Sequence, residues 1–106
     1  MAVEQRVGIR KIVRTKALVA MDGLPAMMGR TIDVSIGGIS LTFDNKLLVG
    51  QMGQVSFEIF LEGKGQVIST QAKVSYCIFS GDHFRIGFQF VNPDTVTVAT
   101  INKLMR

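Results

Sequence analysis

Tryptophan is absent from this 106-residue chain, and cysteine, histidine and tyrosine occur once each. The lone Cys77 rules out an intramolecular disulfide. With His83 the only imidazole, the chain lacks the three or four Cys/His ligands of a typical zinc site, and no metal or cofactor is expected. Cys77 sits in a strand-like run and reads as a half-buried thiol acting as a small hydrophobe. The carboxylates Asp22, Asp33, Asp44, Glu58, Glu62, Asp82 and Asp94 are scattered, most of them beside turn residues, and no spacing pairs two of them. Ser35 fits neither the Gly-x-Ser-x-Gly nucleophile elbow nor a Walker loop with its lysine. These absences argue against an enzyme. No apolar run approaches the roughly 20 residues needed to cross a bilayer. Met1 is followed by polar, charged residues without the apolar stretch of a signal peptide. The expectation is a cytoplasmic, reducing location without membrane insertion.

Charged residues are also sparse, at 19%, but hydrophobic ones reach 47%, which excludes a disordered chain and supports a single packed domain. The formal net charge of +4 is unevenly spread. Arg6, Arg10, Lys11, Arg14 and Lys16 crowd the N-terminal stretch, where Glu4 is the only acid before Asp22. Residues 1–14 therefore read as a flexible basic arm, suited to phosphates, nucleic acid, anionic lipid or an acidic protein surface. Residues 15–106 read as the folded body.

Within that body, runs rich in Val, Ile, Phe and Met alternate with turn residues. Thr15–Met21, Met27–Val34, Ile39–Phe43 and Gln54–Leu61 read as strands. Asp22-Gly23, Ser35-Ile36-Gly37-Gly38, Asp44-Asn45, Glu62-Gly63-Lys64-Gly65 and Ser80-Gly81-Asp82-His83 read as the turns. In the next long strand Ile68, Ala72, Val74, Tyr76 and Ile78 share one parity, which predicts that all five face the core. Ile86, Phe88 and Phe90 alternate with Arg85, Gly87 and Gln89. The last segment changes period. Asn92 and Pro93 suit the start of a helix, and Val98, Ile101 and Met105 lie on one face. The pattern predicts a mainly β fold, a six-stranded antiparallel β-barrel or sandwich closed by a C-terminal α-helix.

Two short motifs stand out. Arg10-Lys11-Ile12-Val13-Arg14 is an RxxxR, and Asp33-Val34-Ser35-Ile36-Gly37-Gly38 matches Asp/Asn-x-Ser-x-x-Gly through Asp33, Ser35 and Gly38. In this order, ahead of a run of strands, they resemble the signature of the PilZ family. Arg85-Ile86-Gly87-Phe88-Gln89-Phe90 also looks like that family's late core strand. The resemblance covers nearly the whole chain. It implies a split barrel that binds the bacterial second messenger cyclic di-GMP and passes the signal to an effector protein, unidentified here. The family's outputs are motility, biofilm matrix synthesis and virulence.

By that resemblance Arg10 and Arg14 wrap the ligand, contacting phosphates and guanine acceptor edges. Asp33 accepts from guanine N1 and N2, Ser35 adds a bond, and Gly38 permits a tight turn and close approach. Lys11 and Gly37 are possible additions. Because Arg6 and Arg10 have the same spacing as Arg10 and Arg14, Arg6 is an alternative first member. Arg10 with Arg14 is preferred, since Arg14 leads directly into the first strand. The arm is expected to be disordered without ligand and to order on binding. Two other functions remain open. One is a PilZ-fold adaptor that binds no nucleotide. The other is a small nucleic-acid-binding barrel, disfavoured because the Phe residues largely share core-like positions and Tyr76 is the only tyrosine.

Overall fold

In the computed structural model residues 9–106 are described, and Arg6 lies outside the described residues. The strands are β1 (Lys11–Ile12), β2 (Lys16–Met21), β3 (Met27–Val34), β4 (Gly38–Phe43), β5 (Met52–Leu61), β6 (Lys64–Ser80) and β7 (His83–Phe90), followed by helix α1 (Thr95–Met105). Each strand pairs antiparallel with its neighbours, in the order β1-β3-β2-β5-β6-β7-β4. A further β3–β4 pairing joins the ends, so β2 to β7 close into a six-stranded barrel.

Alternation in the sequence fills this barrel. Ala17, Val19 and Met21 of β2 point inward while Lys16 and Leu18 face out. Val55, Phe57 and Ile59 of β5 do the same, as do Ile86, Phe88 and Phe90 of β7. Ile39 and Leu41 of β4 meet them at the centre, wholly buried. Burying such side chains is worth roughly 1.5–3 kcal/mol each, the main force holding the strands together.

The turns follow from backbone chemistry. Glu62 and Gly63 join β5 to β6 with φ of 54° and 80°, the paired left-handed conformation of a type I′ turn that matches strand twist. Gly81, at φ 76°, opens the equally short connection from β6 to β7.

β1 lies on the same edge of β3 as β2 does, further along that strand. The break between them is stitched by Thr31. Its buried hydroxyl donates to the Val13 carbonyl and accepts from the Thr15 N–H at 2.9 Å. Lys11 and Ile12, expected in the loose arm, are thus paired with Val34 and Asp33.

Two expectations need correction. Ile68, Ala72 and Val74 are buried as the alternation predicts, but the β6–β7 register shifts between Val74 and Tyr76. Ser75 is the extra residue of this bulge, and beyond it the parity reverses. Cys77 now packs against the core, half-buried, while Tyr76 and Ile78 turn to the other face. The helix also starts later than Asn92 and Pro93 suggest. Asp94 is its N-cap, accepting from the Thr97 N–H at 2.8 Å, and Asn92 instead adopts a left-handed turn at φ 47°. The buried face of α1 is Thr97, Ile101 and Leu104, and Val98 lies at its margin, 37% exposed.

Candidate nucleotide-binding site

Asp33 organises the outer face of the barrel near the end of β3. A register shift between Thr31 and Asp33 turns its carboxylate toward β4, where Ser40 is its direct partner in the ladder. Ser40 is fully buried, and its Oγ donates to Asp33 Oδ1 at 2.6 Å. Arg10, just before β1, donates from Nε to the same oxygen at 2.8 Å. Arg85 of β7 pairs with Thr42, two positions along the ladder from the Ser40–Gly87 pair. That register brings its Nη2 to 3.9 Å from Asp33 Oδ2.

These neighbours set the charge of Asp33. Burial alone would push its carboxyl up. The Ser40 hydrogen bond, then the Arg10 hydrogen bond and charge, then the charge of Arg85, outweigh that effect and hold the group below the ordinary 3.8. At neutral pH Asp33 is therefore an ionised acceptor, already flanked by two guanidinium groups.

Beside this cluster lies an open depression of about 280 Å³, lined among others by Arg10, Ser35, Gly37, Gly38, Tyr76 and Gly87. The two sequence motifs meet here, although 23 residues separate Arg10 from Asp33. Ser35 is buried at the turn between β3 and β4. Its N–H donates to the Gly38 carbonyl at 2.8 Å, and its hydroxyl lies 3.4 Å from the same oxygen. The Gly37 carbonyl accepts from the Phe90 N–H at 2.9 Å, fastening the turn to β7. Gly38 has a packing reason to be glycine, because a Cβ there would overlap the carbonyl oxygen of Phe88.

The remaining motif cations lie elsewhere. Lys11 points away from the depression and donates from Nζ to the Leu104 carbonyl at 3.0 Å, satisfying an open acceptor in the last turn of α1. Arg14 is exposed and lines a different hollow with Glu58, Phe60 and Leu104. Arg10, Asp33, Ser35, Gly37 and Gly38 are thus gathered at one place, and Lys11 and Arg14 are not.

Three residues of the site escaped the sequence reading. Ser40 and Arg85 reach Asp33 only through strand pairing across the barrel, for which no linear motif exists. The alternation predicts a core position for Tyr76, because the Ser75 bulge leaves no signature in it. Among the described residues no three His, Cys, Asp or Glu side chains gather as a metal site would require. Among them, too, no helix is long and apolar enough to cross a membrane.

Comparison with known proteins gives this barrel its relatives. No functionally curated protein matches the chain in sequence. Among solved structures it is similar to the inhibitor of motility MotI/DgrA of Bacillus subtilis, at 11% identity and a TM-score of 0.81, covering 92% of this chain and 47% of that one. It is also similar to the PilZ domain of YcgR from Escherichia coli, solved with c-di-GMP, at 15% identity and a TM-score of 0.70, covering 91% of this chain and 85% of that one. A third is PlzA of Borreliella burgdorferi in complex with c-di-GMP, at 13% identity and a TM-score of 0.58, covering 87% of this chain and 43% of that one. The chain thus spans less than half the length of MotI/DgrA and PlzA. At these identities the likeness is one of fold, and it agrees with a family model, that of the PilZ domain, which matches residues 4–106. By that match over nearly its whole length, the chain belongs to the PilZ domain family.

Proposed function

We propose that this chain is a cytoplasmic receptor for cyclic di-GMP, without catalytic activity of its own, that signals to a partner protein. The observation that carries the reading is the meeting of Arg10 and Asp33 beside an open depression shared with Ser35 and Gly38. Cyclic di-GMP is a dianion with two guanine bases. A guanidinium presents a planar fork of donors for phosphate oxygens or for guanine O6 and N7. A carboxylate held ionised complements the guanine N1 and N2 donors. The solution of the YcgR PilZ domain with c-di-GMP, and of PlzA in complex with it, supports this reading.

Arg10 belongs to either RxxxR pair. The position of Arg14 in a separate hollow favours Arg6 as its companion. Residues 9–12 are exposed and held by the short β1–β3 ladder, the Arg10–Asp33 pair and the Lys11 bond to α1. Ligand that engages Arg10 further orders this arm, and the changed surface is what the partner reads. Calorimetric titration with cyclic di-GMP tests the receptor, with GTP as control ligand and Arg10→Ala as control protein. Saturable binding lost in the variant is expected, and absence of binding to the native chain overturns the reading.

A further inference from the structure

The bulge at Ser75 has a chemical result. It carries Tyr76 out of the core parity of β6 and sets its ring against Gly87 of β7, its partner across the ladder. Gly87 makes this possible, since a Cβ there would overlap the ring itself. The Ser75 hydroxyl holds the bulge by donating to the Gly87 carbonyl at 3.0 Å. The ring, half-buried, forms part of the wall of the depression that also contains Arg10, Ser35 and Gly38. Neither motif includes Tyr76. Among the described residues it is nonetheless the only aromatic ring that borders the depression without belonging to the barrel core, because Phe88, which also lines it, is 2% exposed.

We propose that Tyr76 is a further ligand-binding residue, on whose ring a guanine base stacks while Arg10 engages the same nucleotide. This rests on the receptor reading above. A purine over a phenol ring gains dispersion and sheds water from both faces, an interaction indifferent to the phenolic hydroxyl. A stacking role therefore separates Tyr76→Phe from Tyr76→Leu. The leucine still covers Gly87 but offers no ring.

The composition supplies a direct readout. Tyr76 is the only tyrosine and the chain has no tryptophan, so its ultraviolet emission reports one ring in one place. Titration of the native chain with cyclic di-GMP should quench that emission over the range in which calorimetry shows binding. Tyr76→Phe should bind like the native chain, and Tyr76→Leu should bind about tenfold more weakly or worse, with thermal melting confirming that it folds. If the native chain binds but its emission is unmoved and Tyr76→Leu binds normally, the assignment of Tyr76 is wrong and the receptor reading stands. Should the native chain not bind at all, the receptor reading fails and the stacking role fails with it.

Discussion

Ser40 and Asp33 face each other across the β3–β4 ladder, and the hydroxyl of one, fully buried, is committed to the carboxylate of the other at 2.6 Å. The serine thus holds part of the alignment of the Asp33 carboxylate inside the barrel wall. Ser40→Ala removes the donor and leaves the carboxylate partly buried with fewer partners. Hydrogen bonds to charged groups contribute about 1.5–3 kcal/mol, so a loss in that range is expected in chemical denaturation. NMR titration of the Asp33 carboxyl in the variant should show its pKa moving upward.

The acid limb of stability should carry the same signature. The folded pKa of Asp33 is depressed below its ordinary value, so between the two values the unfolded chain binds more protons than the folded one. Its contribution is complete above the ordinary unfolded value of 3.8 and is lost as pH falls through the lower folded value. Denaturation midpoints measured from neutral pH into the acid range should therefore fall more steeply for the native chain than for Asp33→Asn. Parallel curves would show that the Ser40, Arg10 and Arg85 contacts do not favour the ionised form.

The adjacent glycines Gly37 and Gly38 should behave differently. A Cβ on Gly37 meets open space, whereas one on Gly38 runs into the Phe88 carbonyl oxygen, a backbone atom that can yield only if β7 moves away from β4. Gly38→Ala should cost about 1–3 kcal/mol in urea denaturation, and Gly37→Ala much less. Equal effects would show that the two strands can part at little cost.

The two candidate arginine pairs make opposite predictions. With Arg14 in the hollow beside Glu58 and Phe60, Arg14→Ala should leave cyclic di-GMP affinity within about threefold of the native value, a change of under 1 kcal/mol. Arg6→Ala should weaken it at least tenfold, or about 1.4 kcal/mol. The reverse ranking in calorimetry would restore Arg10 and Arg14 as the working pair.

Much of this was readable in order along the chain because it depends on neighbours. Glu62-Gly63 and Gly81 announce their turns through local backbone chemistry, and alternation in β2, β5 and β7 announces the core. What stayed hidden depends on distant pairing. Nothing near Ser40 or Arg85 indicates that strand closure will set them beside Asp33. The extra residue at Ser75 reverses which face Tyr76 takes without disturbing the apolar rhythm that suggested a core position. The helix start is ambiguous in sequence for a more local reason. Asn92, Pro93 and Asp94 all suit a helix entrance, and only the side-chain bond to the Thr97 N–H singles out Asp94.

The same bulge has a colloidal consequence. Past Lys73, where the ladder to β5 ends, β6 continues beside β7 as an overhang running Ser75-Tyr76-Cys77-Ile78-Phe79-Ser80, without a charged side chain. Ile78 is 56% exposed and Phe79 62%, and among the described residues no strand covers their free edge. An uncharged edge of this kind is a template for intermolecular pairing, which proteins ordinarily blunt with lysine or proline. Self-association at high concentration should therefore begin at this hairpin, and Ile78→Lys should raise the concentration at which light scattering first detects it.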